Sequence, residues 1–498
     1  MVSYNSRLSS ASTKWIVISI LLLSLILRWI LIFRGGQYYN SDETRYEVSR
    51  EAAQSLVQGN FEEALQQFTF SPEHLGFKVI GLLPALMEQI TGPSLAMPAM
   101  FFSFFSVLNL YLIFLLSRAS SESPTEPLFA LVFAASSQSL LYYSRHLIPY
   151  DTSLSFGLLA LYFPLVRDKT AKTSFLSGTL SFLAFITYNG YWPLAGFAML
   201  VHTLMNGKTM SSILRKGIIT GLGFVVPLGI LIGAMLLSGR DMISAYQLFA
   251  RSITQGLFEE AWSIPFEYFW YAEGVLFPIL AALALLAVIY PHRDRRTMYL
   301  WAGGILFIYL CLVIPSAMKY FVVYARLARQ MLPFLALLAA HGLIQLHDRV
   351  PYSRQVTQLI FLAILVQAAW NFSVAYHVGF PRDFTTEAQV KFPGFEFSSK
   401  RLAYGAPVIC QYNGYMIENA KFYVAPPEKV PQVKGQLLLS APHPTNFQPY
   451  LYEGDPPNLR EEYRKLQLQM NFYKADKEFM SESNPEWTSI ENCVVHEN

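Results

Sequence analysis

The sequence predicts a mainly α, polytopic helical membrane protein with a small α/β soluble domain at its C-terminus. Three observations carry that prediction. Of 498 residues, 53% are hydrophobic and only 14% are Asp, Glu, Lys or Arg, against about 25% charged in an ordinary soluble domain. So little charge does not cover a water-soluble globule of this size. Second, the apolar residues fall in runs long enough to span a bilayer, for which roughly 17–25 residues are needed. Third, the charge is unevenly divided. Residues 381–498 hold 27 charged side chains, whereas the first 380 residues hold 44. The chain therefore divides into a membrane domain, 1–380, and a soluble tail, 381–498. A net charge of +3 gives no electrostatic footprint for nucleic acid.

Eleven crossings are expected: 14–33, 95–117, 126–144, 150–166, 174–189, 191–206, 217–237, 265–289, 299–317, 331–347 and 355–377. The first carries Arg28 and lacks a small-residue cleavage site, so it reads as a span and not as a cleaved leader. The run 72–91 is interrupted by Lys78, Pro84 and Glu88, and reads as a non-crossing or re-entrant helix on the outer face. Between the crossings, Arg167/Lys169/Lys172, Lys208/Arg215/Lys216, Arg293/Arg295/Arg296 and Arg349/Arg354 all fall on one side. Basic short loops mark the cytoplasmic side. The N-terminus is then cytoplasmic. The loop 34–94, the loop 238–264, the segment 318–330 and the tail are extracytoplasmic. In the tail, the run Gln436-Leu437-Leu438-Leu439-Ser440 sits among Pro-rich turns, and a helix is expected near 457–481.

The outer face collects the chemistry. Its first loop reads Ser41-Asp42-Glu43-Thr44-Arg45-Tyr46 and leads into a helix expected over roughly 43–58, ended by Gly59. Taken locally, Ser41 or Asp42 equally well caps that helix. Glu73, His74 and Lys78 open the non-crossing helix. Tyr143, Arg145 and His146 precede Asp151 at the mouth of another span. Lys319, Arg326 and Arg329 place three cations on the side where they are disfavoured, which calls for an anionic partner. Phosphate is the natural one, because Arg grips it bidentately; lipid headgroup contact is the plainer alternative. No His, Cys or Asp cluster has metal-ligand spacing.

Together these elements resemble the GT-C superfamily of polytopic glycosyltransferases, in particular the branch of protein O-mannosyltransferases and lipid A aminoarabinose transferases. Asp42-Glu43-Thr44-Arg45-Tyr46 fits that family's Asp-Glu-x-Arg-Tyr string in full. Tyr143, Arg145 and Asp151 match a later stretch. Gly178 opens a matching small-residue run, and Arg329 with Pro333 matches a late one. Two features depart from the family. The Lys-Pro-Pro-Leu-like string is replaced by Ser71-Pro72-Glu73-His74-Leu75-Gly76-Phe77-Lys78, and the late Arg-Tyr is Arg329-Gln330.

The resemblance implies a glycosyltransferase in the plasma (inner) membrane. It implies transfer of a hexosyl or pentosyl group from a polyprenyl-phosphate donor to a hydroxyl on a lipid, glycan or protein acceptor, with inversion. Asp42 is the implied base, with Glu43 and Arg45 ordering the loop or the substrate. Arg329, with Arg326 or Lys319, would hold the lipid phosphate. His74, Lys78, Arg145 and Asp151 complete the substrate-binding set. No cofactor is required by these residues, and divalent-metal assistance stays open, because some family members use one and others do not. The competing class is a multi-pass transporter or flippase of a lipid-linked or anionic substrate, suggested by Glu273 inside a span.

Overall fold

A computed structural model describes residues 10–377, apart from 35–43, 71, 93, 95, 122, 167–169, 206–208, 238, 240–241, 245–246, 248–261, 291–294, 319–324 and 350–352, together with four strands in the tail. The described helices are α1 (Ser10–Arg34), α2 (Thr44–Val57), α3 (Phe61–Phe70), α4 (Leu75–Thr91), α5 (Ala96–Ser120), α6 (Glu126–Ala135), α7 (Gln138–Tyr142), α8 (Tyr150–Val166), α9 (Ala171–Thr187), α10 (Trp192–Met205), α11 (Met210–Leu237), α12 (Ile264–Glu273), α13 (Leu276–Ile289), α14 (Arg295–Ala317), α15 (Leu332–Arg349) and α16 (Ser353–His377). Short 3₁₀ segments lie at Tyr143–Arg145, Asn189–Tyr191 and Ala325–Met331.

Six of these, α1, α5, α11, α14, α15 and α16, are long and apolar enough to cross a membrane by length and composition. α8 and α9 have 17 residues each, about 25 Å at 1.5 Å per residue. Helix α15 is the axis of the bundle: almost all of it is buried, against α6, α13, α14 and α16. Helices α11 and α16 instead turn most of their apolar side chains outward, as lipid-facing helices do. α9 and α11 cross in near backbone contact. A Cβ on Gly178 would lie 2.0 Å from the Thr220 carbonyl oxygen, and one on Gly223 would lie 2.1 Å from that of Phe175. Only glycine permits this approach.

Two expected spans are broken. The run 126–144 becomes α6, the short α7 and a 3₁₀ turn, and 265–289 becomes α12 and α13. The two breaks answer each other. Ser137 caps α7 by accepting from the Leu140 amide, 3.3 Å away. Glu273, the last residue of α12, then accepts from the Ser137 hydroxyl at 2.8 Å, the Gln138 amide at 2.8 Å and the Ser139 amide at 3.0 Å. A helix end inside a bilayer has no water to satisfy it, so a buried carboxylate takes that place. After Glu273 the chain turns at Gly274 with φ 58°, a left-handed conformation that favours glycine. The Val275 amide is met by Gln367 Oε1 at 3.3 Å.

Helix α2 forms where expected and stops before Gly59, at φ 80°. The run 72–91 forms α4, Leu75–Thr91, with Pro84 inside it. Helix α3 was not anticipated. In the tail, β1 (Tyr415–Met416), β2 (Phe422–Ala425), β3 (Gly435–Pro442) and β4 (Gln469–Ala475) form an antiparallel sheet in the order β1-β2-β4-β3. The run 436–440 is strand, as its apolar residues suggest. The helix expected over 457–481 is corrected at Gln469–Ala475. There Asn471-Phe472-Tyr473 lies in the strand between β2 and β3, and ladder partners on both edges outweigh local helix preference.

Candidate functional site

The sequence-derived site residues divide into three groups. Asp42, Glu43 and Lys319 lie outside the described residues, and Arg326 is described only as backbone of the 3₁₀ segment before α15. Arg145, Asp151 and Arg329 sit in the buried centre of the bundle. Arg45, His74 and Lys78 sit beside it on α2 and at the start of α4.

The centre is an ion pair between Arg329 Nη2 and Asp151 Oδ1. Both groups are buried, Arg329 completely. Asp151 opens α8 and is steadied from α5, where Asn109 Nδ2 donates to its backbone oxygen at 2.9 Å. Ser155, one turn on, donates to Asn109 Oδ1 at 2.8 Å. Arg329 also donates from Nε to the Ser139 carbonyl at 2.9 Å and from Nη1 to the Tyr191 hydroxyl at 3.4 Å. Its guanidinium lies 5.4 Å from the centroid of the Tyr143 ring, a cation–π distance. Asp151 thus holds Arg329. Arg145 is anchored elsewhere, donating to the Ala375 carbonyl of α16 at 2.7 Å and lying 5.0 Å from the centroid of Tyr142.

Sequence reasoning missed two members of this centre. Arg28 of α1 is buried, and donates to Ser106 Oγ at 2.9 Å and to the Leu140 carbonyl at 3.2 Å. Arg28 and Arg329 therefore hold adjacent carbonyls of the broken helix, and Glu273 holds its amides. Arg28 was visible as a cation within a span. Glu273 was visible as an acid within one, but it was credited to transport. Among the described residues, Arg28 and Arg329 both lie close enough to Asp151 to feel its charge.

Aromatic rings link the centre to α4. His74, buried and left-handed at φ 57°, stacks on Tyr188 with centroids 5.1 Å apart. Tyr188 contacts Tyr150 at 4.7 Å and Tyr191 at 5.2 Å, and Tyr191 reaches Arg329. One turn beyond His74, Lys78 is buried with Nζ 3.7 Å from Glu73 Oε1. Burial pushes the Lys78 ammonium down to about 8; Glu73 opposes that shift and Arg45 adds to it.

A clamp fixes α2 to α4. Buried Glu88 of α4 accepts from Arg50 Nε and Nη2, both at 2.7 Å, from the Tyr46 hydroxyl at 3.0 Å and from the Ser94 amide at 3.1 Å. Burial first, and then the Glu88 charge, push the Tyr46 phenol up. Phe77 stacks on Phe102 of α5 at 4.5 Å, seating the helix pair on the bundle. Arg45 and the segment containing Asp42 and Glu43 therefore enter a helix whose position is fixed. Among the described residues, no three His, Cys, Asp or Glu side chains group as metal ligands.

No protein-family model and no curated protein matches the chain. Solved structures do match in fold. ArnT from Cupriavidus metallidurans in the apo state is 14% identical, with 74% of this chain and 69% of that one covered and a TM-score of 0.51. The same protein bound to undecaprenyl phosphate is 13% identical, covering 74% and 71% with a TM-score of 0.50. The archaeal oligosaccharyltransferase AglB from Archaeoglobus fulgidus, in complex with an inhibitory peptide and a dolichol-phosphate, is 14% identical over 76% of this chain and 58% of that one, at 0.47. The bundle that sets Asp151 against Arg329 beside the α2–α4 pair has a polytopic helical fold similar to that of ArnT.

Proposed function

We propose that the chain is a membrane glycosyltransferase that moves a sugar from a polyprenyl-phosphate donor to an acceptor hydroxyl, inverting at the anomeric carbon. The observation that carries this reading is the buried Arg329–Asp151 pair, with Arg28 close by, beside α2 and α4, in a bundle with the fold of ArnT, which has been solved with undecaprenyl phosphate bound. A buried guanidinium with N–H groups left to donate suits a further anion. A lipid phosphate supplies that anion, and its apolar tail suits the lipid-facing helices.

Displacement at the anomeric carbon needs a base for the acceptor hydroxyl and positive charge for the departing phosphate. Asp42 is the base, two residues before the start of α2, with Glu43 ordering the loop or the substrate. Arg329 engages one N–H on each of its three nitrogens, and each terminal nitrogen keeps a second. Those two N–H groups hold phosphate oxygen, with Lys78, Arg45, Arg326 and Lys319 adding charge. Asp151 keeps the guanidinium in place, and His74 and Arg145 line the approach. The site and the tail belong to the side away from the cytoplasm on the positive-inside reading, opposite the end that carries Lys172, Arg215 and Lys216. Glu273 gives no support to a transport reading, because its oxygens cap a helix break.

The test is transfer of labelled sugar from a panel of polyprenyl-phosphate sugars by the purified chain in detergent. Asp42→Asn is expected to abolish transfer while expression and the thermal unfolding midpoint stay unchanged. Normal transfer by that variant removes Asp42 as the base. No transfer by the unsubstituted chain from any donor, together with no binding of undecaprenyl phosphate, removes the transferase reading.

A further inference from the structure

The end of the bundle opposite Asp151 holds a second built feature. Helices α8 and α9 run as an antiparallel hairpin. Ser153 Oγ donates to the Ala184 carbonyl at 2.7 Å near Asp151, and Ser177 Oγ donates to that of Ala160 at 3.1 Å midway. Thr170, which starts α9, therefore lies at the far end. α11 begins at that end too and rises beside α9 to the Gly178–Gly223 contact. Below the contact, a cavity of about 200 Å³ opens between the two helices. Thr170, Ala171 and Ser174 of the α9 start line it, facing Ser212, Arg215 and Lys216 of α11.

The chemistry of these walls is specific. None of the described lining residues is acidic. Arg215 and Lys216 bring two adjacent cations, and Ser212 brings a hydroxyl one turn earlier on the same face. Thr170 Oγ1 accepts from the Thr173 amide at 3.3 Å, so the side chain caps its own helix. The Ala171 and Lys172 amides precede the first intrahelical acceptor of a 17-residue helix. The floor is closed by Ser174, whose hydroxyl lies 2.7 Å from Nε2 of the fully buried His202. Cations, a hydroxyl and helix-start amides converging on one cavity suit a tetrahedral oxyanion. Beside the cavity, Leu214, Ile218 and Leu222 of α11 are exposed, a track for acyl chains running from its mouth.

We propose that this cavity is a phosphate seat, filled by the headgroup of an anionic phospholipid or by a free phosphate ester. Basic pockets between membrane helices on the cytoplasmic side are suited to such headgroups. The seat joins the start of α9 to the start of α11, so its occupant ties two helices together at the end remote from the ion-pair centre.

The full-length chain is reconstituted in nanodiscs of phosphatidylcholine alone, of phosphatidylcholine with phosphatidylglycerol, and of phosphatidylcholine with added inorganic phosphate. The thermal unfolding midpoint and the phospholipid retained in native mass spectrometry are measured. Phosphatidylglycerol is expected to raise the midpoint and remain bound. A rise with inorganic phosphate alone assigns the seat to a free phosphate ester. Arg215→Gln/Lys216→Gln is expected to lose the response. Ser212→Phe, which fills the cavity with both cations kept, is expected to lose it as well. Lys172→Gln removes a cation from the same end but outside the cavity, and is expected to keep it. Equal responses from the unsubstituted chain and from Ser212→Phe, equal loss in Lys172→Gln, or no response to either phosphate source overturns the proposal.

Discussion

Two arginine–carboxylate pairs organise this protein, and they differ in what surrounds them. Arg50 and Glu88 join two helices, α2 and α4, with the Arg50 side chain 15% exposed and Glu88 satisfied from four donors. Arg329 and Asp151 are sealed in the bundle and tied through Asn109, Ser139 and Tyr191 to α5, to the broken helix and to the turn before α10. The first pair is a local clamp: with Arg50 gone, Glu88 still accepts from the Tyr46 hydroxyl and the Ser94 amide. The second is a junction: with Arg329 gone, the Asp151 carboxylate keeps, among the described residues, only the longer contact from Asn109 Nδ2 at 3.4 Å, and the ties to Ser139 and Tyr191 go too. The same chemistry therefore serves local positioning in one place and global integrity in the other.

The largest expected effect tests the junction. Arg329→Met should destabilise the chain by about 3–5 kcal/mol, the cost of stranding a buried charge, read as a lowered unfolding midpoint in detergent. Adding Asp151→Asn should recover part of that loss, because the stranded charge is then gone. If Arg50→Met cost as much, the distinction between the two pairs would fail. Next is the turn at the α12–α13 break. Gly274→Ala meets strain at φ 58° and places a Cβ 2.8 Å from Gln367 Nε2. The expected cost is about 1–3 kcal/mol, visible in the same melt.

Arg50→Met should cost about 1.5–3 kcal/mol, the range for hydrogen bonds to a charged group. The loss should be confined to α2, appearing as faster proteolysis within 44–57 and little change in the global midpoint. The smallest effect concerns pH. Lys78 titrates near 8 in the folded chain, against 10.5 ordinarily, so between those values the unfolded state binds more protons. Stability should therefore rise from about pH 8 to 10.5, and Lys78→Met should remove that rise. Over the same window Lys78 loses its charge, so binding of undecaprenyl phosphate should weaken above pH 8 in the unsubstituted chain and stay level in Lys78→Met.

Much of the bundle was readable from the sequence because hydropathy is local. The apolar runs gave α1, α5, α14 and α16 to within a few residues and the end of α11, which starts seven residues earlier than expected, and Gly59 marked the end of α2. The breaks were not readable. Residues 126–144 and 265–289 are each apolar enough to read as one span, and what interrupts them is Glu273 reaching Gln138, 135 positions away. The ion pair spans 178 positions. Asp151 and Arg329 could each be suspected alone, as charges at a membrane edge, but nothing local joins Asp151, which follows Arg145 in the chain, to Arg329. His74 was suspected as a replacement for a family lysine; its seat against Tyr188 follows from a left-handed backbone that no single-residue preference signals. Asp42 and Glu43, read from their motif, remain proposals.

The broken helix carries one more consequence. Arg28 and Arg329 reach it through the carbonyls of Leu140 and Ser139, and Glu273 reaches it through the amides of Gln138 and Ser139. These contacts belong to the main chain, so exchanging the side chains at those positions leaves every one of them available. Two proteins can share this junction and spell it with different letters. An alignment compares letters, whereas superposition compares the path of the backbone, and here the backbone path is where the likeness to ArnT was found.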